Sequence, residues 1–169
     1  MKYFELFEIP VQLRVSEEGL HRRYIELSRK YHPDYFISQP EDMQAEALEK
    51  SAMLNKAYKT FKNPDETIKY VLREKQLMEE EEKYELPPDF LMEVLEINES
   101  LMDADGADGK ESITKRIDAL GEEIYAPVSS IIEGYSEGVT TEEDLMKVKE
   151  YYYKKKYLDR IRHQLSGMA

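Results

Sequence analysis

Pro33 constrains this chain more than any other residue. The run Arg22-Arg23-Tyr24-Ile25-Glu26-Leu27-Ser28-Arg29-Lys30 reads as a basic helix. The residue before a proline is pushed out of the helical region, so the helix has to stop at His32. Its apolar positions, Leu20, Tyr24, Leu27 and Tyr31, recur at i, i+4, i+7 and i+11. That spacing predicts one buried face, with the basic side chains left in water. Ser16 is placed to cap this helix, with Glu17 and Glu18 in the favoured first turn. Beyond the loop, Pro40 suits the first turn of the next helix, whose stripe is Ala47, Ser51, Leu54, Tyr58 and Phe61. Two antiparallel helices joined by a tight loop form a hairpin, with His32-Pro33-Asp34 at its tip. Core packing has no need of a His and an Asp flanking a proline there, so the loop reads as a presented surface.

The rest of the chain continues in helices. Residues 3–9 predict a short helix ended by Pro10. Asn63-Pro64-Asp65-Glu66 is a helix start, with Asn as N-cap, Pro at the first position and Glu at the third; that helix should run to about Lys75. Glu79-Glu80-Glu81-Glu82 reads as a solvated linker or helix face. Leu86-Pro87-Pro88-Asp89 opens a second module with helical stretches at roughly 88–103, 111–134 and 141–165. Thr140 with Glu143 fits a capping box for the last of them. Pro127 should kink or split the middle stretch, at a cost near ~3 kcal/mol if uncompensated. The segment Asp103–Gly109 fails the calcium-loop pattern: its sixth position is Asp108 rather than Gly and its twelfth is Thr114 rather than Glu. It is expected to be a polar interhelical turn. No strand pattern and no internal repeat is evident. The expectation is an all-α chain, with an N-terminal helical hairpin (1–75), a linker (76–86) and a C-terminal three-helix bundle (87–169).

Charge sharpens the division. Residues 1–75 carry 13 Lys/Arg against 13 Asp/Glu, whereas residues 76–169 carry 11 against 23, which places the whole formal net charge of −12 in the second half. Two modules with different partners are implied. A nucleic-acid partner is disfavoured, because it needs a basic footprint. No run of about 18 apolar residues predicts a transmembrane span, so no membrane partner is expected. The N-terminus lacks the pattern of a signal peptide or mitochondrial presequence, so a cytoplasmic, bacterial setting is expected. There is no cysteine; the chain forms no disulfide and ligates no iron–sulfur cluster through its own thiolates. No glycine-rich phosphate loop, His/Glu metal spacing or nucleophile–base pair is present, so no catalytic residue, cofactor or metal site is expected.

A second chemical signal lies in Phe90-Leu91-Met92-Glu93-Val94-Leu95-Glu96-Ile97-Asn98-Glu99-Ser100-Leu101-Met102-Asp103. Phe90, Val94, Ile97 and Leu101 form one stripe, the natural core face. Leu91, Met92 and Leu95 widen it, and Glu96, Glu99 and Asp103 border them. The wider stripe fits either core against two neighbouring helices or an acid-edged apolar strip open to a partner.

The order Tyr3-Phe4-Glu5-Leu6-Phe7-Glu8-Ile9-Pro10, then Tyr31-His32-Pro33-Asp34, then Leu54-Asn55-Lys56-Ala57-Tyr58-Lys59-Thr60-Phe61 resembles a J domain. This module docks co-chaperones on DnaK-type ATPase chaperones. With the tail it resembles the HscB family of iron–sulfur co-chaperones over almost the whole chain. The resemblance implies that His32, Pro33 and Asp34 engage a DnaK/HscA-type chaperone and stimulate its ATPase, with Arg22, Arg23, Arg29 and Lys30 steering the approach. It also implies that Phe90-Leu91-Met92-Glu93-Val94-Leu95-Glu96 belongs to a surface for an IscU-type scaffold. That surface would comprise Leu91, Met92, Leu95, Glu96, Glu99, Asp103 and Tyr157, the last standing in Tyr157-Leu158-Asp159 where the family more often has Phe. The loop around Asp105 and Pro127 depart from the family's pattern. Two other readings stay open: a general J-domain co-chaperone whose acidic bundle binds a different client, and a structural helical protein with a chance His-Pro-Asp.

Overall fold

The computed structural model describes residues 1–104 and 106–167. Among them every regular element is helical. Two compact units result: Met1–Leu77 together with Tyr135–Val139, and Met78–Gly134 together with the chain from Thr140 onward.

In the first unit, α1 (Lys2–Phe7) ends at Glu8, whose left-handed backbone (φ 55) turns the chain. Its Phe4 and Phe7 are buried and pack on Phe61 of α3 (Glu41–Lys62), with ring centroids 4.8 and 5.2 Å away. Aromatic pairs in these geometries add to the burial energy of each ring. Tyr3 stacks on Tyr70 of α4 (Pro64–Glu74) at 4.4 Å, and the Tyr3 amide donates to the Tyr70 hydroxyl at 3.1 Å. Burial pushes the Tyr70 phenol up to about 12.

Helix α2 spans Glu17–Lys30, but Ser16 makes no side-chain cap. The reason is local: Glu18 is extended (ψ 119) and Gly19 is left-handed (φ 86), so the regular helix begins only beyond Gly19. A glycine takes that conformation without the Cβ clash that other residues meet. The expected stripe is otherwise present, with Leu20 and Leu27 buried and Tyr24 stacked on Tyr58 of α3 at 4.1 Å. Asn63 caps α4 as expected, its side chain accepting from the amides of Asp65 and Glu66. The loop Tyr135–Val139 is tied to the end of α4 by Lys75 Nζ, 2.8 Å from Glu137 Oε1, while Tyr135 donates to the same carboxylate.

In the second unit, α5 (Pro88–Met102), α6 (Gly106–Tyr125), α7 (Ser129–Glu133) and α8 (Glu142–Ser166) enclose a core that includes Val94, Ile97, Ile117, Leu120, Val148 and Leu158. Pro127 splits the middle stretch into α6 and α7, the stronger of its two expected effects. Three sequence expectations change here. The cap of α8 is Thr141, whose side chain accepts from the Asp144 amide at 3.1 Å, not Thr140. The interhelical turn is shorter than Asp103–Gly109, because Gly106 to Gly109 already belong to α6; Asp105 lies outside the described residues. The four-glutamate block is not all solvated. Glu82 Oε1 is 2.7 Å from the ammonium of Lys149, which is 6% exposed, and Tyr153 donates to Oε2 at 3.1 Å. Tyr84 stacks on Tyr153 at 4.6 Å, so the strand of chain before α5 is strapped to α8.

Candidate partner-binding sites

The first site is the hairpin tip. Helix α2 stops as Pro33 requires, and Pro33–Phe36 form a single 3₁₀ turn. His32 is its N-cap: Nδ1 accepts from the Asp34 amide at 3.2 Å. This bond fixes the imidazole over the turn and leaves the Asp34 carboxylate outward, with its side chain 79% exposed. The carboxylate Oδ2 lies 3.6 Å from His32 Nδ1, an ion pair only when the ring is protonated. The loop is pinned to α3 by Gln44, whose amide donates to the carbonyls of Gln39 at 2.7 Å and Ile37 at 3.3 Å. The tip is thus a hydrogen-bonded turn with an exposed carboxylate at its apex.

The cations expected beside it divide into two groups. Arg22, Arg29 and Lys30 are exposed. Lys30 and Lys50 both lie over the Tyr31 ring, at 5.2 and 5.1 Å, and a hydrogen bond to Glu46 raises the Lys50 ammonium above its ordinary range. Arg23 is occupied inside the unit. Its Nε donates to the Phe7 carbonyl at 3.1 Å, and its guanidinium pairs with Glu8 and Glu26. It joins α1 to α2, which the uniform basic run did not foretell.

The second site is the outer side of α5. Phe90, Val94, Ile97 and Leu101 are buried, while Leu91, Met92 and Leu95 are 41%, 60% and 52% exposed. The two readings left open by the sequence are thereby separated: the core stripe and the wider strip are different faces of one helix. Glu96, Glu99 and Asp103 are exposed beside the strip. Arg116 of α6 reaches Glu96 at 3.8 Å and donates to Ser100 Oγ at 2.9 Å, so Glu96 is partly neutralised within the unit. Tyr157 belongs to a different helix, α8. It is half-buried, and Arg160 lies over its ring at 5.5 Å.

Of the exposed apolar residues that escaped the sequence reasoning, three adjoin these two sites. Met102, 87% exposed, continues the α5 strip one heptad beyond Leu95, and that spacing was the available signal. Tyr35 and Ile37, 69% and 73% exposed, stand on the tip itself; no periodicity reaches across a proline turn to mark them.

Comparison with known proteins agrees with this architecture. The model of the HSCB C-terminal oligomerisation domain matches residues 86–166. A co-chaperone protein HscB homolog of Neisseria gonorrhoeae is 31% identical over 167 residues, 98% of each chain. The homolog of Photobacterium profundum is 29% identical over 169 residues, 99% of this chain and 96% of the relative. Among solved structures, human co-chaperone protein HscB aligns with a TM-score of 0.78 at 29% identity, over 97% of this chain and 80% of that one. Chaperone HscB from Vibrio cholerae aligns at 0.64 with 25% identity, over 98% and 99%. An all-α chain with a J-domain hairpin ahead of a helical C-terminal bundle, matched along nearly its whole length by these relatives, belongs to the HscB family of co-chaperones.

Proposed function

We propose that this protein stimulates the ATPase of a DnaK/HscA-type chaperone through the His32-Pro33-Asp34 tip and delivers an IscU-type scaffold to it, in iron–sulfur cluster assembly and transfer. One observation carries the reading: the same chain holds an outward carboxylate on a rigid tip and an outward apolar strip on α5. Asp34 is suited to a charge-assisted bond with a chaperone arginine. Arg22, Arg29 and Lys30 steer the tip toward an acidic groove and raise the association rate. Arg23 acts by positioning α2 against α1. Leu91, Met92, Leu95 and Tyr157 provide the apolar contact with the scaffold, and Glu96, Glu99 and Asp103 pair with its basic groups. Holding both partners on one molecule raises the concentration of each for the other. ATP and the cluster are bound by the partners, and the chain itself performs no chemistry. A cytoplasmic setting accords with these partners.

The test is ATP turnover by the purified chaperone with and without scaffold. His32→Gln is expected to fold as the parent does, because His32 is exposed at the tip, and to abolish stimulation. Full stimulation by that variant overturns the role of the tip.

A further inference from the structure

We propose that Tyr35 and Ile37 form an apolar anchor that buries against the same chaperone, next to the contact made by Asp34. This inference rests on the reading of the tip given above and names contact residues beyond the His-Pro-Asp triplet and the basic helix. Two large side chains, 69% and 73% exposed, occupy one short turn. The turn packs on α3, yet neither side chain is drawn in. The loop backbone is held in this form: Gln44 donates to the carbonyls of Ile37 and Gln39, and the Tyr35 amide donates to the His32 carbonyl at 3.0 Å. Leaving such surface in water is unfavourable relative to burying it.

Geometry identifies the occupant. Tyr35 follows Asp34 directly, and its ring meets the His32 ring edge to face at 6.2 Å. Neighbouring Cα atoms are about 3.8 Å apart, so a protein that grips the Asp34 carboxylate also lies against Tyr35. The charges around the tip suit a partner of mixed surface: Arg29 and Lys30 on one flank meet acids, Asp34 meets a base, and between them Tyr35 and Ile37 call for an apolar patch. Rim charges chiefly set the association rate. A desolvated tyrosine or aliphatic residue at the centre chiefly slows dissociation. The division of labour predicts two different salt dependences on one surface.

The experiment measures chaperone ATPase stimulation as a function of co-chaperone concentration, at low and high salt, for the parent, Tyr35→Ser, Ile37→Ser, Ile37→Leu and His32→Gln. Circular dichroism checks that each variant is folded. Tyr35→Ser and Ile37→Ser are expected to raise the half-saturating concentration roughly tenfold, the size of one lost interface anchor, by a factor unchanged between the two salts. The maximal stimulated rate stays at the parental level, and Ile37→Leu restores most of the affinity. A half-saturating concentration within about twofold of the parent for both Ser variants, with His32→Gln inactive, overturns the anchor and leaves the role of the triplet standing. Parental stimulation by His32→Gln removes the triplet instead; the anchor then survives only if the Ser variants still weaken binding. Concentration-dependent self-association that the Ser variants abolish, without a change in half-saturation, assigns the patch to a contact between copies and overturns the proposal.

Discussion

Truncating the outer strip of α5 separates folding from binding. The perturbation is the triple change of Leu91, Met92 and Leu95 to Ala. Fully burying one such side chain is worth about 1.5–3 kcal/mol. With these three 41%, 60% and 52% exposed in the free protein, about half of that transfer remains to be gained from a partner. Each should supply roughly 1 kcal/mol on docking, and the three together about 3–4 kcal/mol. That corresponds to a dissociation constant weakened by roughly 10²- to 10³-fold. The cost to the fold is smaller, because the lost contacts are partial and alanine favours the helix by a few tenths of a kcal/mol per site. Ile97→Ala is the internal control: at 3% exposed it leaves a core cavity and should cost about 2–5 kcal/mol of stability. The assays are calorimetric titration with purified scaffold protein and thermal unfolding followed by circular dichroism. An unchanged scaffold affinity refutes the binding role of the strip. A triple variant as destabilised as Ile97→Ala refutes the claim that the two faces of α5 are energetically distinct.

Further consequences are independent of that result. Glu82→Ala removes the partner of a buried ammonium and should destabilise the second unit by about 2–3 kcal/mol, less than for a wholly enclosed pair because Glu82 is partly exposed; urea titration measures it. Burial opposes the charge of Glu82, but the hydrogen bonds from Lys149 and Tyr153 outweigh it and hold the carboxyl below its ordinary 4.5. Its stabilisation is therefore complete above about pH 4.5 and fades as pH falls through the lower folded value, and Glu82→Gln should flatten that part of the pH profile. Asn63→Ala loses the two amide contacts of the α4 cap and should cost about 1 kcal/mol in thermal unfolding. Arg22→Ala with Arg29→Ala should slow chaperone association mainly at low salt, whereas Arg23→Ala should lower the unfolding temperature of the first unit at any salt.

Local rules carried much of this molecule. Proline and asparagine act on the backbone beside them, so the stop at His32, the start at Asn63 and the break at Pro127 were legible from adjacent residues alone. Helical periodicity named the buried stripe of α5 and the two hairpin faces, because a side chain's direction on a helix follows from its position. The order of motifs carried the family. What could not be read were outcomes that depend on which neighbour arrives. Whether Leu91 and Met92 were core or surface turned on how many helices pack around α5, a property no window of α5 contains. Ser16 lost its cap to a left-handed Gly19, and the N-cap of α8 fell on Thr141 rather than on its neighbour Thr140. Glu82 and Arg23 looked like ordinary members of charged runs, and became structural through partners 67 and 15 residues away. Backbone preference acts within a turn of the residue that has it, while the pairing of a charge or the exposure of a methyl group is set by tertiary neighbours.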